Sequence, residues 1–278
     1  MPTFALNGAT TGEHVDLVTD IRAAGAAGYH AVELRDTKIE RYLAGGGTLP
    51  ALRAALRGAR LEVLSLNALE DSTLPIGPAF ERVLARTRTF CEWARALECP
   101  YVISVPSFLP PGGLPEAEVH ARTVAALRQM AAVAAPFGVK VGFEFLGFPT
   151  CSVNTLAAAR RIVDEVGDPG VGVVIDVFHF YAGGSRLDDL DTLPGDRLFI
   201  VHLDDAEPGD PATLGDAHRL WPGDGVIPLQ PILARIERLG YRRAYSLELF
   251  RPEYWKMDPV AVATTGLAKM RRLFKERT

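Results

Sequence analysis

Five polar residues stand at the ends of apolar runs in the second half of the chain: Glu144 in VGFEFLG, Asp176 and His179 in VVIDVFH, His202 in FIVHLDD and Glu248 in SLELF. Carboxylates and imidazoles are the oxygen and nitrogen donors that Mn2+, Mg2+, Co2+ or Zn2+ accept, and they also take up and return protons. In a parallel barrel the C-terminal strand ends converge on one face, so these residues would share a pocket although far apart in the chain. Burying three carboxylates and an imidazole together is expensive, through desolvation and like-charge repulsion, unless a cation neutralises them. The pattern therefore predicts one divalent metal held by Glu144, Asp176, His202 and Glu248, with coordination positions left for two substrate oxygens. Taken singly, each residue is as readily a lone polar group capping a strand; four in register on consecutive strands make coincidence a poor account. His179, three residues past Asp176, is read as a substrate contact, with packing in the loop as its alternative.

The elements that must position this set are legible as alternation. Eight short apolar runs recur: FALN (4–7), HAVELR (30–35), LEVLSLNA (61–68), YVISVP (101–106), VKVGFEF (139–145), VGVVID (171–176), LFIVHL (198–203) and AYSLEL (244–249). The intervening segments carry helical spacing, as in Val124, Leu127, Ala131 and Ala134, or Ile232, Ile236 and Leu239. Gly28, Gly138 and Gly240 are placed as helix stops, and Asp168-Pro169-Gly170 as a turn. Strand-helix alternation repeated eight times predicts a single (β/α)8 TIM barrel over residues 1–278. An open doubly wound sheet would give similar local signals, but no GxGxxG or GxxxxGK[ST] follows the first strand. The stretch 204–225, rich in Asp, Pro and Gly, is too long for an ordinary connection and is expected to be an active-site loop.

Composition bounds the function. The 278 residues are 48% hydrophobic and 23% charged, enough for one large core. A net charge of -4 offers no attraction to polyanions, so nucleic acid is not an expected partner. No apolar run approaches the roughly 18 residues of a membrane span, and the start MPTFALNG lacks a basic region before an apolar stretch. A cytoplasmic protein is expected, and a homo-oligomer stays open. Cys91, Cys99 and Cys151 are widely spaced and odd in number, which predicts buried free thiols.

Further polar residues belong to the same face. Asn7, Glu33, Arg35 and Asn67 end the first three strands, where they can bond substrate hydroxyls or equally satisfy loop backbone. Arg251 can clamp a hydroxyl pair or pair with Glu253. Trp221 and Trp255 can wall a pocket against the C-H face of a ring, with core or interface packing an equal alternative for Trp255.

The arrangement of Glu144, Asp176 with His179, His202 and Glu248 resembles the xylose-isomerase-like barrel superfamily of sugar epimerases, keto-inositol enzymes and multi-zinc abasic-site endonucleases. Within it, NGATT (7–11), VELR (32–35), LNAL (66–69), APFGVKVGFEFLGFPTCSVNT (135–155), VIDVFHF (174–180), HLDDAE (202–207), and most discriminatingly WPGDG (221–225) and LELFRPEYWK (247–256), are similar to the inosose isomerases. The resemblance implies a metal-dependent isomerase of a small polyol ketone, 2-keto-myo-inositol, with Mn2+ or Zn2+ ahead of Mg2+ or Co2+. It further implies proton transfer by Glu144 and Glu248 through an enediolate that the metal stabilises. Sugar epimerisation and keto-inositol dehydration are the alternatives on the same metal site. An abasic-site endonuclease is a weaker one: Asp216 and His218 resemble part of a three-zinc site, but Asn67 and Val105-Pro106-Ser107 stand where further histidines are expected. The last is a barrel that binds a sugar without turning it over.

Overall fold

Each of the eight apolar runs becomes a strand, and the strands close into one parallel barrel. The computed structural model describes residues 2–275; residues 1 and 276–278 of the expected domain lie outside the described residues. The barrel strands are β1 (Phe4–Asn7), β2 (Ala31–Arg35), β3 (Glu62–Leu69), β4 (Tyr101–Ser104), β5 (Lys140–Glu144), β6 (Val171–Asp176), β7 (Leu198–Leu203) and β8 (Tyr245–Leu247). They run β1-β8-β7-β6-β5-β4-β3-β2 around the barrel. β4 ends at Ser104 rather than at 106, since Pro106 has no N–H to offer the ladder. Glu248 stands one residue past β8, with its N–H still directed at the Leu203 carbonyl.

Around the barrel lie α1 (Leu17–Ala27), α2 (Asp36–Ala44), α3 (Leu49–Gly58), α4 (Pro78–Ala96), α5 (Glu116–Ala134), α6 (Leu156–Val166), α7 (Val177–Ala182), α8 (Leu187–Asp191), α9 (Leu229–Arg238), α10 (Pro252–Trp255) and α11 (Pro259–Lys275). The punctuation follows the chain chemistry. Asp16 caps α1 and Thr155 caps α6 through their side-chain oxygens. Gly28 and Gly138 take left-handed φ of 90° and 71°, a region that a side chain would disfavour. Asp168 accepts the Gly170 N–H at 2.7 Å and so closes the expected turn.

Alternation along the strands sorts side chains between two cores. Leu6, Val102, Val141, Ile175 and Leu247 face outward into the large cluster beneath the helices. Ala5, Ala31, Ile103, Val174, Ile200 and Ala244 belong to a separate inner cluster. Two residues further along the same strands come Asn7, Glu33, Asp176, His202 and Ser246, all buried. The interior is thus apolar below and polar at the C-terminal mouth, where catalytic groups of such barrels gather. The register places Asp176 beside His202, Asn7 beside Glu33, and Glu33 beside Ser65.

All three cysteines are free and buried, as expected. Among the described residues no helix is long and apolar enough to cross a membrane.

The loop that follows Asn7 is anchored by a buried ion pair. Lys38 Nζ reaches Asp20 Oδ2 at 2.7 Å, the Gly8 carbonyl at 2.7 Å and Thr11 Oγ1 at 3.2 Å. Removing one partner of such a pair strands a charge away from water, whereas removing both does not. Asp20→Ala is expected to destabilise the protein by about 3–5 kcal/mol, and the double substitution Asp20→Asn with Lys38→Met to recover most of that. Urea denaturation of the two variants measures both effects.

Candidate metal centre and substrate cavity

The mouth of the barrel brings the four expected ligands together. Glu144 ends β5, Asp176 ends β6, His202 lies in β7 and Glu248 follows β8; one donor atom from each falls within 4.8 Å of all the others. His202 Nδ1 is the hub, 2.9 Å from Glu144 Oε1, 3.1 Å from Glu248 Oε2 and 3.8 Å from Asp176 Oδ2. Asp176 divides its two oxygens: Oδ1 caps α7 by accepting the Phe178 and His179 N–H groups at 2.7 and 3.1 Å, and Oδ2 faces the cluster. Glu248 Oε1 is tied by two amides, Asn7 Nδ2 at 2.8 Å and Asn67 Nδ2 at 3.3 Å.

Burial and like charge govern the protonation of this set. Burial pushes the Glu144 carboxyl up to about 7 against the pull of His202, with Glu248 and Asp176 adding to the rise. Burial raises Glu248 as well, again opposed by His202. For His202 burial works the other way, but Glu248, Glu33 and Glu144 together hold its pKa well above the ordinary value. Two carboxylate charges about 4 Å apart repel by roughly 4 kcal/mol at an effective dielectric of 20, so three ionised together around one point call for positive charge or bound protons among them. Three oxygens and one nitrogen, fully enclosed and mutually within reach, fit a divalent metal.

A residue that the sequence did not single out completes the cluster. Arg219 is wholly buried, and its Nη1 contacts Asp176 Oδ2 and Asp204 Oδ2 while Nη2 lies 3.0 Å from Asp216 Oδ1 and 3.1 Å from His179 Nε2. Burial alone would raise the Asp176 carboxyl; the guanidinium overrides this and holds it well below the usual carboxylate range. Burial and Arg219 push the His179 imidazole down to about 4, against the pull of Asp176. Because a guanidinium only donates, His179 Nε2 accepts from it, which places the ring proton on Nδ1. The rings of Phe178 and Phe250 lie 4.6 and 5.2 Å from the Arg219 Cζ.

Arg219 owes its position to the long loop after β7. Asp205–Ala206 and Arg219–Leu220 pair as a short antiparallel ribbon. The Asp205 carboxylate accepts four backbone N–H groups, from Ala206, Gly223, Gly225 and Ile227, at 2.9–3.0 Å. A side chain at Gly225 would meet the Ala206 carbonyl at 2.2 Å, so the return of the loop requires glycine there. Polar residues are ordinary in a loop, which is why nothing in the spacing marked Arg219; the length of the loop was the one available signal.

A cavity of about 260 Å³ opens above the cluster, with Glu144, Glu248, His179 and Arg219 at its base. Arg35, Asn67, Glu70 and Asp71 line it together with the rings of Phe108, Phe148 and Phe250, the last with its centroid 5.7 Å from the Arg35 Cζ. Of the expected substrate contacts, His179, Arg35 and Asn67 line it. Asn7 lies beneath, bonded to Glu248. Trp221 and Arg251 point elsewhere: Trp221 stacks on Tyr254 with ring centroids 4.2 Å apart, and Arg251 pairs with Glu207 at 2.7 Å and Glu253 at 3.2 Å. Trp255 donates to the Ala9 carbonyl at 3.0 Å, pinning the loop after β1. A larger cleft at the opposite mouth, beside His30, Glu62 and Tyr101, contains none of the clustered donors.

The model of the xylose isomerase-like TIM barrel family matches residues 21–273. The inosose isomerase of Halalkalibacterium halodurans is 36% identical over 253 residues, covering 91% of this chain and 89% of that one. That of Bacillus subtilis is 34% identical over 255 residues, 91% of each. Among solved structures, the IolI protein with a binding zinc atom superposes with a TM-score of 0.95 at 31% identity, over 99% of this chain and 98% of that one.

Arg219 is the one guanidinium facing Asp176 and Asp204 among the described residues. Arg219→Met is expected to destabilise the metal-free protein by about 3–5 kcal/mol, the range for stranding one side of a buried ion pair. Arg219→Lys should recover part of this because it restores the charge without the planar fork. Chemical denaturation of the two variants checks the order.

Proposed function

The chain belongs to the xylose isomerase-like TIM barrel family, and on that premise we propose that it is an inosose isomerase that moves a proton between neighbouring carbons of 2-keto-myo-inositol. The observation that carries the reading is the His202 Nδ1 hub with its three carboxylates at the base of a cavity lined by both polar and aromatic side chains. A ring polyol presents both hydroxyls and C-H faces, and this mixed lining offers partners for each. The single-domain organisation over 1–278 belongs to the same proposal.

Glu144, Asp176, His202 and Glu248 would hold one divalent ion, Zn2+ or Mn2+. When bound, it supplies Lewis-acid polarisation of a substrate carbonyl and its neighbouring hydroxyl. The protein groups do the rest. Glu248 Oε1 already accepts from two side-chain amides, and burial raises both carboxyls, that of Glu144 to about 7. Glu144 and Glu248 flank the same His202 nitrogen, so one of them, ionised, can take the proton α to the carbonyl, and a proton returns to the adjacent carbon from that same carboxyl or from the other in its protonated form. Arg219 and His179 sit at the cavity base, where a guanidinium donates to developing negative charge. Arg35 and Asn67, joined to each other at 2.7 Å, face the hydroxyls.

The nucleolytic alternative gains no support from the cluster: among the described residues the grouped donors do not include Asp216, which pairs with Arg219, or His218, whose Nδ1 accepts the Gly215 N–H. Dehydration of the keto-inositol would begin with the same proton removal.

Three outcomes test the proposal. In D2O with added metal and 2-keto-myo-inositol, NMR should show deuterium entering the carbon beside the ketone together with a new ketone isomer; a diketone would reveal dehydration instead, and no exchange would refute turnover. Glu144→Gln should lower the exchange rate by about 10²–10⁴-fold, the usual worth of a positioned base. Metal uptake should also depend on pH. The free site holds protons on Glu144 and His202 that the metal must displace, so affinity rises as pH increases from about 5 toward 8, by up to roughly tenfold per unit for each proton released. Calorimetry in buffers of different ionisation enthalpy counts those protons.

A further inference from the structure

His202 has two ring nitrogens, and the barrel gives each its own partners. Nδ1 faces the three carboxylates of the metal set. Nε2 points to the far wall, 3.1 Å from Glu33 Oε1 and 3.2 Å from Oε2. Glu33 comes from β2, its side chain is fully enclosed, and it does not line the substrate cavity. Among the described residues its one ion-pair partner is His202. Ser65 Oγ donates to Glu33 Oε2 at 2.5 Å and Asn7 Nδ2 lies 3.4 Å from Oε1. Both neighbours are set by the strand register, Asn7 and Ser65 standing beside Glu33 on β1 and β3.

We propose that Glu33 is the positioning residue of the metal centre: its carboxylate takes the Nε2–H of His202 and so dedicates Nδ1 to the metal. This rests on the reading that Glu144, Asp176, His202 and Glu248 bind a metal. An ionised carboxylate can only accept, so the nitrogen facing Glu33 must carry the proton, and in the neutral ring the lone pair is left on the nitrogen facing Glu144 and Glu248. A carboxylate behind a ligating imidazole also fixes the ring plane and raises the donor strength of the other nitrogen. Ser65 in turn holds Glu33, since the hydroxyl occupies the oxygen that would otherwise let the carboxylate turn. A substrate-contact role for Glu33 is closed off by its enclosure, and a purely structural role leaves unexplained why a buried acid is aimed at a single ring nitrogen of a proposed ligand.

The test uses the whole chain, freed of metal and titrated with zinc in competition with a chelator, in the wild type, Glu33→Gln and Ser65→Ala. Glu33→Gln should weaken zinc binding by about 10–100-fold, the range for loss of such a partner, and Ser65→Ala should weaken it less, in the same direction. Long-range 1H–15N spectra of histidine-labelled, zinc-loaded wild type should show the His202 proton on Nε2 and the metal on Nδ1. Wild-type zinc affinity in both variants, or a metal on Nε2, would overturn the role of Glu33 while leaving the metal reading intact. A wild-type chain that takes up no zinc would overturn the metal reading and this inference with it. Should Glu33→Gln fail to fold, Ser65→Ala and the wild-type spectrum still decide.

Discussion

Closing eight strands into a barrel forces like charges together at one mouth, and the rest of the structure answers that constraint. Glu144, Asp176 and Glu248 come from three different strand ends, yet each reaches the same nitrogen of His202. Without positive charge the arrangement would drive the strand ends apart. His202 supplies one cationic group from within the cluster and Arg219 another from the loop above. The remaining compensation is polar: Asn7 and Asn67 each give an amide hydrogen to Glu248. These neighbours hold four donors within 4.8 Å of one another before any ligand arrives.

Asp176 does two jobs at this mouth, and their pairing links fold to chemistry. Asp176 caps α7 with one oxygen and faces the cluster with the other, so the helix that carries His179 is fixed by the same side chain that sits among the donors. Gly147 lets the loop after β5 approach that helix closely, since a side chain there would meet the His179 carbonyl at 2.4 Å. Packing beneath the cavity and the direction of His179 within it are therefore one problem.

The barrel was readable because its strands are buried on both faces and interrupted by helical spacing of a different period. The four clustered donors were readable for a related reason: a carboxylate or imidazole at the end of an apolar run has few reasons to be there. Arg219 was not, since it lies among the charged and small residues of 204–225, where no periodicity constrains direction. Glu33 was visible as a polar strand end, but its engagement with His202 joins β2 to β7 across the barrel, a distance that sequence spacing does not encode. Trp221 was placed on the cavity wall and instead stacks on Tyr254 and approaches Gly266 of α11, because a loop residue can turn to either side of its own backbone.

The Asp205 cradle has a consequence for how such an enzyme diversifies. Both feet of the loop, at 205–206 and 219–227, are clamped by one carboxylate and a two-residue ribbon. Between them Asp216 still holds Arg219, but 208–213 is largely exposed and makes no contact with the guanidinium, so that stretch is free to lengthen or shorten without shifting it. New rims for new sugars can thus be grafted at the entrance while the proton-handling groups below keep their geometry.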